Sequence, residues 1–237
     1  MSAYEPRFAR VAAMIADPAR SRMLAYLLGG HAASAGELAQ AAGVGASTAS
    51  GHLAQLVDSG LVMCQPRGRH RYFRLADAEV AHALEALALV AERSTHDSAW
   101  ASPERRRLRE ARRCYSHLAG RLGVALHDTL VANDALRPAA DGYALTDDGR
   151  QWLARLALQA PTVPAGARLA YACLDWSERR DHLAGPLATL LLEHFQQRHW
   201  LVLADRTTST RAAARALGLT PVGRRELLPL LGLRDID

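Results

Sequence analysis

Lysine is absent from this chain, because all 29 of its basic residues are arginine. With 24 acidic residues the formal net charge is only +5. Arginine carries a planar fork that suits phosphate and guanine recognition. Abundant arginine beside abundant alanine is also typical of a GC-rich genome, so the charge alone does not select a partner.

Cysteine and long apolar runs are scarce as well. The three cysteines are an odd number and widely spaced, which argues against a disulfide framework. No run of 18 apolar residues occurs, so we expect no membrane span. The N-terminus combines acidic residues with an early proline and lacks the charged-then-apolar layout of a signal peptide, which favours a cytoplasmic protein.

Motifs of common enzyme classes are missing too. The chain has neither a G-x-S-x-G nucleophile elbow nor an H-E-x-x-H zinc motif. Gly120 and Gly123 in HLAGRLG lack the spacing and the preceding strand of a phosphate-binding glycine loop. Asp147 and Asp148 are explained by helix capping. We therefore expect a protein that is not an enzyme.

Helical periodicity and glycine turns organise the first ninety-five residues. Asp17 and Pro18 predict the start of a helix, with Asp as the N-cap and Pro in the first turn. GELAQAAG predicts a short helix closed by Gly43, and a further helix follows from about Ala46 to Ser59. Two short helices joined by a tight glycine turn form a helix-turn-helix.

The next segment, LVMCQPRGRHRYFRL, predicts a β-hairpin. Two alternating stretches flank a turn around Pro66 and Gly68, and the tip is basic. A helix, DAEVAHALEALALVAER, follows this hairpin. A helix-turn-helix with a basic wing has few uses other than binding nucleic acid.

In ADPARSRMLAYLL, GELAQAAGVGASTASGHLAQLVDSGLV and RGRHRYFRL, over about residues 6–95, the chain closely resembles the ArsR/SmtB family of winged helix-turn-helix repressors. The resemblance implies a homodimer built on the first and fifth helices, which reads a palindromic operator of double-stranded DNA. Its recognition helix would enter the major groove, and its wing would meet the backbone or minor groove. The alternative is a winged fold retained for protein contact without DNA binding. The candidate DNA-binding residues are Ser47, Thr48, Ser50, His52, Gln55, Arg67, Arg69 and Arg71.

Many members of this family sense metals, but two familiar sensor positions are empty here. The helix GELAQAAG carries no cysteine pair. The helix after the wing offers only His82 and Glu85, which do not make a tetrahedral site and which we interpret as a solvated helix face. Cys64 stands alone in the first wing strand, where packing is the default role. A sensor therefore has to be sought in the second half.

The second half of the chain is a duplication. HLAG occurs at 117–120 and again at 182–185, and each copy is followed by the pattern LT-x-x-GR-x-x-L. The linker QAPTVPAG separates the copies. We expect two related helix-hairpin-helix modules, at 103–160 and 166–237, which gives a mostly α chain with small β-hairpins (α+β).

This duplication also sets the predicted domain organisation. Residues 1–95 form the winged helix-turn-helix domain for DNA binding and dimerisation. Residues 103–237 form an effector-sensing domain made of the two modules. Two related modules tend to pack about a pseudo-twofold axis, as identical subunits do.

The stretch PERRRLREARRCYSHLAG predicts a single helix in front of the first HLAG. Its buried stripe would consist of Leu108, Ala111, Tyr115, Leu118 and Leu122. Cys114 and His117 would then share one helix face. The six arginines from Arg105 to Arg113 are interpreted as a solvated face, with an extension of the DNA-contacting surface as the alternative.

Cysteine and histidine accompany both copies of HLAG. Equivalent residues of two packed modules approach each other or lie in equivalent pockets, and the interruption of the second copy by DWSERRD, a departure from exact symmetry, argues against convergence of all four groups. Four roles stay open: core or capping residues, ligands of a soft metal ion or metalloid, a redox or electrophile sensor, or bystanders to an organic-ligand pocket near Trp152, Trp176 and Trp200. The candidate effector residues are Cys114, His117, Cys173 and His182.

Overall fold

The computed structural model describes residues 5–67, 70–91, 103–204 and 215–235 of the chain. They divide into an N-terminal unit, which runs to Leu84 and also includes Arg215, and a C-terminal unit, which runs from Glu85 to Ala204 and resumes at Ala216. Within these described ranges, no helix combines the length and the apolar character needed to cross a membrane.

The described residues up to Ala91 form the winged helix-turn-helix that the sequence predicts. Its helices are α1 (Glu5–Ala16), α2 (Pro18–Leu27), α3 (Ala35–Ala42), α4 (Ala46–Asp58) and α5 (Ala78–Ala91). Its strands are β1 (Ala33–Ser34), β2 (Val62–Arg67) and β3 (His70–Leu75). Helix α5 begins in the N-terminal unit and ends in the C-terminal unit.

Side-chain caps determine where the N-terminal helices begin. Asp17 accepts a hydrogen bond of 2.9 Å from the backbone N–H of Arg20, which confirms the predicted start of α2. At the start of α3, Ser34 and Glu37 form a capping box in which each side chain bonds the other residue's backbone N–H. Gly43 ends α3 in the left-handed conformation at φ 70°, which a side chain would disfavour.

The wing is a three-stranded sheet in the order β1-β3-β2. Strands β2 and β3 pair antiparallel from Val62 opposite Leu75 to Arg67 opposite His70, as predicted. Strand β1 has only two residues, so its sequence gives no periodic signal. Arg69, predicted at the wing tip, lies outside the described residues.

The core of the N-terminal unit consists of large apolar side chains from α2, α3, α4 and the wing. Burial of each such side chain contributes about 1.5–3 kcal/mol. Helix α4 therefore keeps one face in the core and exposes the other. The core side chains are Met23, Leu24, Leu27, Leu38, Leu53, Leu56, Phe73 and Leu75.

Helices and short antiparallel hairpins alternate in the C-terminal unit. The helices are α6 (Pro103–Glu110), α7 (Arg121–Ala132), α8 (Asp147–Arg155), α9 (Pro186–Gln197) and α10 (Pro221–Leu230). The paired strands are β4 (Arg112–Cys114) with β5 (His117–Ala119), β6 (Leu136–Ala139) with β7 (Gly142–Leu145), β8 (Tyr171–Leu174) with β9 (Asp181–Ala184), and β10 (Leu201–Leu203) with β11 (Leu217–Leu219).

After α6, the order hairpin, helix, hairpin, helix occurs twice. Gly120 and Gly185, both at positive φ, begin α7 and α9. Thr146 and Thr220 cap α8 and α10, each accepting a hydrogen bond of 3.0 Å from the glycine three residues later. Each copy thus starts with a β-hairpin that the predicted helix-hairpin-helix module lacked.

The prediction of a helix through Cys114 and His117 is wrong. Helix α6 ends at Glu110, and these two residues lie on the strands β4 and β5. Tyr115, at φ 56°, forms the tight turn between the strands. Leu118 and Leu122 have helical spacing, but Gly120 separates them into a strand and a helix. Pairing between strands overrides the local periodicity here.

Two interpretations of charged residues as solvated are also wrong. Arg112, part of the arginine run, has no exposed surface, and Glu85 is 2% exposed. Their Nη2 and Oε2 atoms lie 3.9 Å apart. Charged side chains are buried almost only when they are paired, and the partners here are far apart in sequence. Arg106 and Arg107 of the same run are exposed.

Candidate metal centre and nucleic-acid interface

The outer face of α4 carries the polar side chains that were predicted from the sequence to bind DNA. Ser47, Thr48, Ser50 and Gln55 are exposed, and His52 is partly buried. Hydroxyl and amide groups on a helix of this width can reach base edges in a major groove.

Three of these candidates, Gln55, His52 and Ser50, already have contacts within the N-terminal unit. Arg20 donates a hydrogen bond of 2.7 Å from Nη1 to Oε1 of Gln55, and the same nitrogen lies 3.4 Å from Nδ1 of His52. The hydroxyl of Ser50 donates to the carbonyl of Ala46. Ser47 and Thr48, in the first turn of α4, are therefore the best placed for base contacts.

The wing, which follows α4 in the sequence, carries exposed basic side chains. Arg67, His70 and Arg71 are exposed. The Nε–H of Arg71 donates to Sγ of Cys64 at 3.3 Å, and its guanidinium lies 5.7 Å from the ring centroid of Phe73. Cys64, which is partly exposed, thus has a polar contact inside the wing.

The four candidate effector residues lie on two equivalent hairpins. In β4–β5, Cys114 is directly opposite His117. In β8–β9, Cys173 is directly opposite His182. The two hairpins therefore present the same cysteine and histidine pair in the same register, as two copies of one module should.

The register also explains why the spacing differs between the copies. Tyr115 and Ser116 form a two-residue turn in the first hairpin, whereas β8 and β9 are separated by six residues, 175–180. The longer loop leaves the pairing of Cys173 with His182 unchanged. The interruption by DWSERRD is thus an extended loop and not a loss of symmetry.

The structure brings these four side chains together. One ligand atom from each of Cys114, His117, Cys173 and His182 lies within 4.8 Å of all the others. All four residues are buried, with 8% exposure for Cys173 as the largest value. Two thiols and two imidazoles at such separations suit a tetrahedral, borderline-soft cation such as zinc. Four protein ligands would fill a tetrahedral coordination sphere, as they do in structural zinc sites.

The histidines are held in position by further contacts. The Nε2 atoms of His117 and His182 lie 3.1 Å apart. Nδ1 of His182 is 3.3 Å from Oδ2 of Asp175. A carboxylate behind a histidine fixes its tautomer and directs Nε2 toward a metal. Asp175 therefore belongs to the site, although the sequence reasoning missed it.

The surroundings of the cluster raise the pKa of the Cys114 thiol and lower the pKa of the Asp175 carboxyl. A hydrogen bond with Cys173, together with burial, raises the pKa of Cys114 to about 12. Burial opposes ionisation of Asp175, but the charge of Arg112 and contacts with His182 hold the pKa of Asp175 well below its usual range. Burial also opposes protonation of His182, yet Asp175 and Cys114 raise its pKa to about 9. A redox-sensing cysteine usually has a depressed pKa, so this environment argues against direct oxidation of Cys114 in the metal-free protein.

Trp152, Trp176 and Trp200 are buried and packed against neighbouring side chains. Trp152 and Trp200 pack in its main hydrophobic core, and Trp176 lies under the guanidinium of Arg112, 4.6 Å from its ring centroid. A cavity of about 330 Å³ is present. It is lined by Arg121, Val124, Ala125, Asp128, Thr129, Glu178, Arg180, Leu231, Leu233 and Asp235, and by no tryptophan.

Comparisons with known proteins follow the same division of the chain. A family model described as a helix-turn-helix domain matches residues 15–65. The uncharacterized HTH-type transcriptional regulator YdfF of Bacillus subtilis (strain 168) is 36% identical over 208 residues, which are 87% of this chain and 92% of YdfF. A match of this length extends well beyond the winged helix. The HTH-type transcriptional regulator CmtR of Mycobacterium tuberculosis (strain ATCC 25618 / H37Rv) is 40% identical over 86 residues, 36% of this chain and 72% of CmtR.

Solved structures match the chain over a smaller share. The homodimeric winged helix-turn-helix domain of Mb0332 from Mycobacterium bovis, a possible ArsR-family regulator, is 31% identical with a TM-score of 0.36. It covers 40% of this chain and 90% of its own. The transcriptional repressor BigR from Xylella fastidiosa is 30% identical with a TM-score of 0.33, over 36% of this chain and 87% of its own.

Proposed function

This chain belongs to the ArsR/SmtB family of winged helix-turn-helix transcriptional regulators, and from that membership we propose that it is a homodimeric repressor released from its operator by a soft metal ion. The ion would bind Cys114, His117, Cys173 and His182 in the C-terminal unit. The observation that carries the proposal is that ligand atoms of these four residues, from two hairpins far apart in sequence, lie within 4.8 Å of one another.

Operator binding is assigned to α4 and the wing. Ser47 and Thr48 offer hydroxyls for base contacts at the start of α4, and Arg67 and Arg71 offer cations for phosphates. Phosphate contacts provide affinity at any sequence, whereas base contacts provide the choice of sequence. A palindromic operator follows from a twofold-symmetric dimer.

Dimerisation is assigned to apolar side chains that are exposed in the monomer. Phe8 and Val11 on α1 are 68% and 38% exposed, and Leu87 and Val90 on α5 are 48% and 52% exposed. Large apolar side chains exposed at helical spacing are typical of association surfaces. The first and fifth helices are also those that the family resemblance implies for the dimer.

A metal is favoured over the other effectors by the chemistry of the cluster. An oxidant or electrophile would attack a thiolate, but the Cys114 thiol is buried and its pKa is raised. A metalloid such as arsenite binds thiolates and would leave both imidazoles without a role. An organic ligand would have to use a site away from the buried tryptophans. The proposed site binds a ligand and carries out no reaction.

The test is an operator-release titration. The wild type, Cys114→Ser and Cys173→Ser are titrated with zinc, arsenite, mercury and peroxide while bound to the promoter region of the protein's own gene. We expect all three proteins to bind this DNA without metal and only the wild type to be released by zinc. If the wild type binds the DNA but ignores every effector, the sensor role is wrong. If it does not bind the DNA, the protein-interaction alternative becomes the better description.

A further inference from the structure

A buried aspartate connects the two hairpins of the cluster. Asp175, which has no exposed side-chain surface, lies 3.3 Å from the His182 ring through Oδ2. The same oxygen accepts a hydrogen bond of 2.7 Å from the backbone N–H of Gly120, which ends the first HLAG. A shift of either hairpin therefore changes a contact of Asp175.

The other carboxylate oxygen binds a buried arginine. Nη2 of Arg112 lies 2.9 Å from Oδ1 of Asp175, and neither side chain has exposed surface. Arg112 precedes Cys114 by two residues on β4, and its Nη1 donates to the hydroxyl of Ser177 at 3.0 Å. Its guanidinium is thus packed between the cluster's own strand and the extended loop after Cys173.

The arginine also faces the helix that continues from the winged domain. Nη2 of Arg112 lies 3.9 Å from Oε2 of Glu85 on α5. Glu85 is the first residue of the C-terminal unit, and the preceding turns of the same helix belong to the N-terminal unit. The contacts His182–Asp175–Arg112–Glu85 therefore run without a gap from the cluster to α5.

Stability alone is a poor reason for such an arrangement. Burying three ionised groups costs several kcal/mol each in desolvation, and apolar residues of similar size are often equally stable in their place. This series of contacts also has no counterpart in the first copy of the module, because the two-residue turn of the first hairpin contains no residue equivalent to Asp175. Buried polar groups of this kind are best attested as switches or specificity devices.

We propose that Asp175, Arg112 and Glu85 transmit occupancy of the cluster to α5. This inference rests on the proposed metal-sensing function. Metal ligation by both hairpins replaces the contact between His117 and His182 and sets the orientation of the His182 ring, with little change in the separation of the two Nε2 atoms. Asp175 follows through its contact with His182 and the hydrogen bond that it accepts from Gly120, and Arg112 moves with Asp175. Nη2 of Arg112 lies farther from Glu85 than from Asp175. The contact with Glu85 is therefore the one that changes.

The test uses Glu85→Gln in the full chain, with Glu178→Gln as the matched control. The Glu178 carboxylate lies in the same unit and pairs with two other arginines, Arg109 at 2.8 Å and Arg121 at 3.9 Å. Cobalt(II) binding is followed by its thiolate absorption, and operator affinity is measured with and without the metal. In the wild type and the control, metal should weaken operator binding by about 5- to 150-fold, the usual range of allosteric coupling.

For Glu85→Gln we expect unchanged cobalt stoichiometry and unchanged metal-free operator binding, with a metal effect below about threefold. Glu85→Asp, which keeps the charge but shortens its reach, should give an intermediate effect. A full metal effect in Glu85→Gln overturns the proposal. Loss of cobalt binding, or of the folded circular dichroism spectrum, in both Glu85→Gln and Glu85→Asp also overturns the proposal, because Glu85 would then only support the fold. Failure of the wild type itself to bind cobalt or to release DNA counts instead against the proposed function.

Discussion

The Nε2 atoms of His117 and His182 lie 3.1 Å apart at the centre of the cluster. Two nitrogens bound to one tetrahedral zinc at about 2.0–2.1 Å are separated by about 3.3 Å. The two rings are therefore almost at the separation that a shared cation requires. The ring contact comes from identical registers in the two hairpins, so the duplication itself produces the site.

The first prediction is that the full chain binds about one zinc ion per chain, because the four ligands complete one tetrahedral coordination sphere. Cys173→Ser should lower the affinity by at least tenfold, since a serine hydroxyl is a poor zinc ligand at neutral pH. Cys64→Ser is the control and should bind like the wild type. Metal analysis after dialysis against a competing chelator measures both. Equal zinc retention by all three proteins would contradict the assignment.

The second prediction concerns thiol reactivity in the metal-free protein. Cys64 is partly exposed, whereas Cys114 has no exposed surface and its pKa is raised to about 12. A thiol reagent at neutral pH should therefore label Cys64 first and Cys114 only after the protein opens. Mass spectrometry of a labelling time course reports the order. Early labelling of Cys114 would favour the electrophile-sensor alternative.

The third prediction uses a close approach that both copies share. A Cβ added at Gly149 would overlap the carbonyl oxygen of Ala135, and one added at Gly223 would overlap that of Trp200. Gly149→Ala and Gly223→Ala should each destabilise the protein by about 2–3 kcal/mol, as overpacking does. Thermal or urea unfolding measures the loss.

Gly51 provides the control for these variants, because beyond its neighbours and the backbone of its own helix no atom of the described residues lies within 4 Å of its added Cβ. It is inside helix α4, where alanine is about 0.5–1 kcal/mol more favourable than glycine. Gly51→Ala should therefore leave the protein as stable as the wild type or slightly more so. A similar loss in all three variants would mean that the two glycines have no special place in the modules.

Signals within short segments predicted the winged helix-turn-helix, whereas contacts between separate segments were not predicted. Asp17 and Pro18 indicate the start of α2, and the capping hydrogen bond joins Asp17 to Arg20, only three residues later. Gly43 indicates the end of α3 in the same local way. The repeat of HLAG likewise predicted which cysteines and histidines are equivalent. Their placement on strands and not on a helix depends on pairing between β4 and β5, which a helical spacing of leucines concealed.

Asp175 and its partners could not be found in the same way. The burial of Arg112 depends on Asp175, which is 63 residues further along the chain, and on Glu85 on a separate helix. Within one segment, an arginine run is expected to be solvated. A usable signal was the loop DWSERR itself, because an insertion in only one of two otherwise equivalent hairpins indicates a role that the other hairpin does not have.

The fourth prediction concerns sequence preference. Ser47→Ala should change the preferred operator, with a cost of about 1–3 kcal/mol at the contacted base pair. Ser50→Ala is the control, because the Ser50 hydroxyl already donates to the Ala46 carbonyl. Selection of binding sites from a random DNA library compares the variants with the wild type. The same selected motif for Ser47→Ala and the wild type would remove Ser47 from the base-reading set.

The last prediction concerns the wing. Arg67 and Arg71 are exposed on β2 and β3, where we expect each to neutralise a phosphate. Replacing both with alanine should weaken binding to operator and unrelated DNA alike, because phosphate contacts carry no sequence information. Each lost contact should reduce the slope of log K against log salt by about 0.9 per protomer. Arg106→Ala, an exposed arginine on α6, is the matched control and should leave the slope unchanged. An unchanged slope in the double variant would exclude the wing from the interface, and a reduced slope in Arg106→Ala would instead extend that interface to the arginine run.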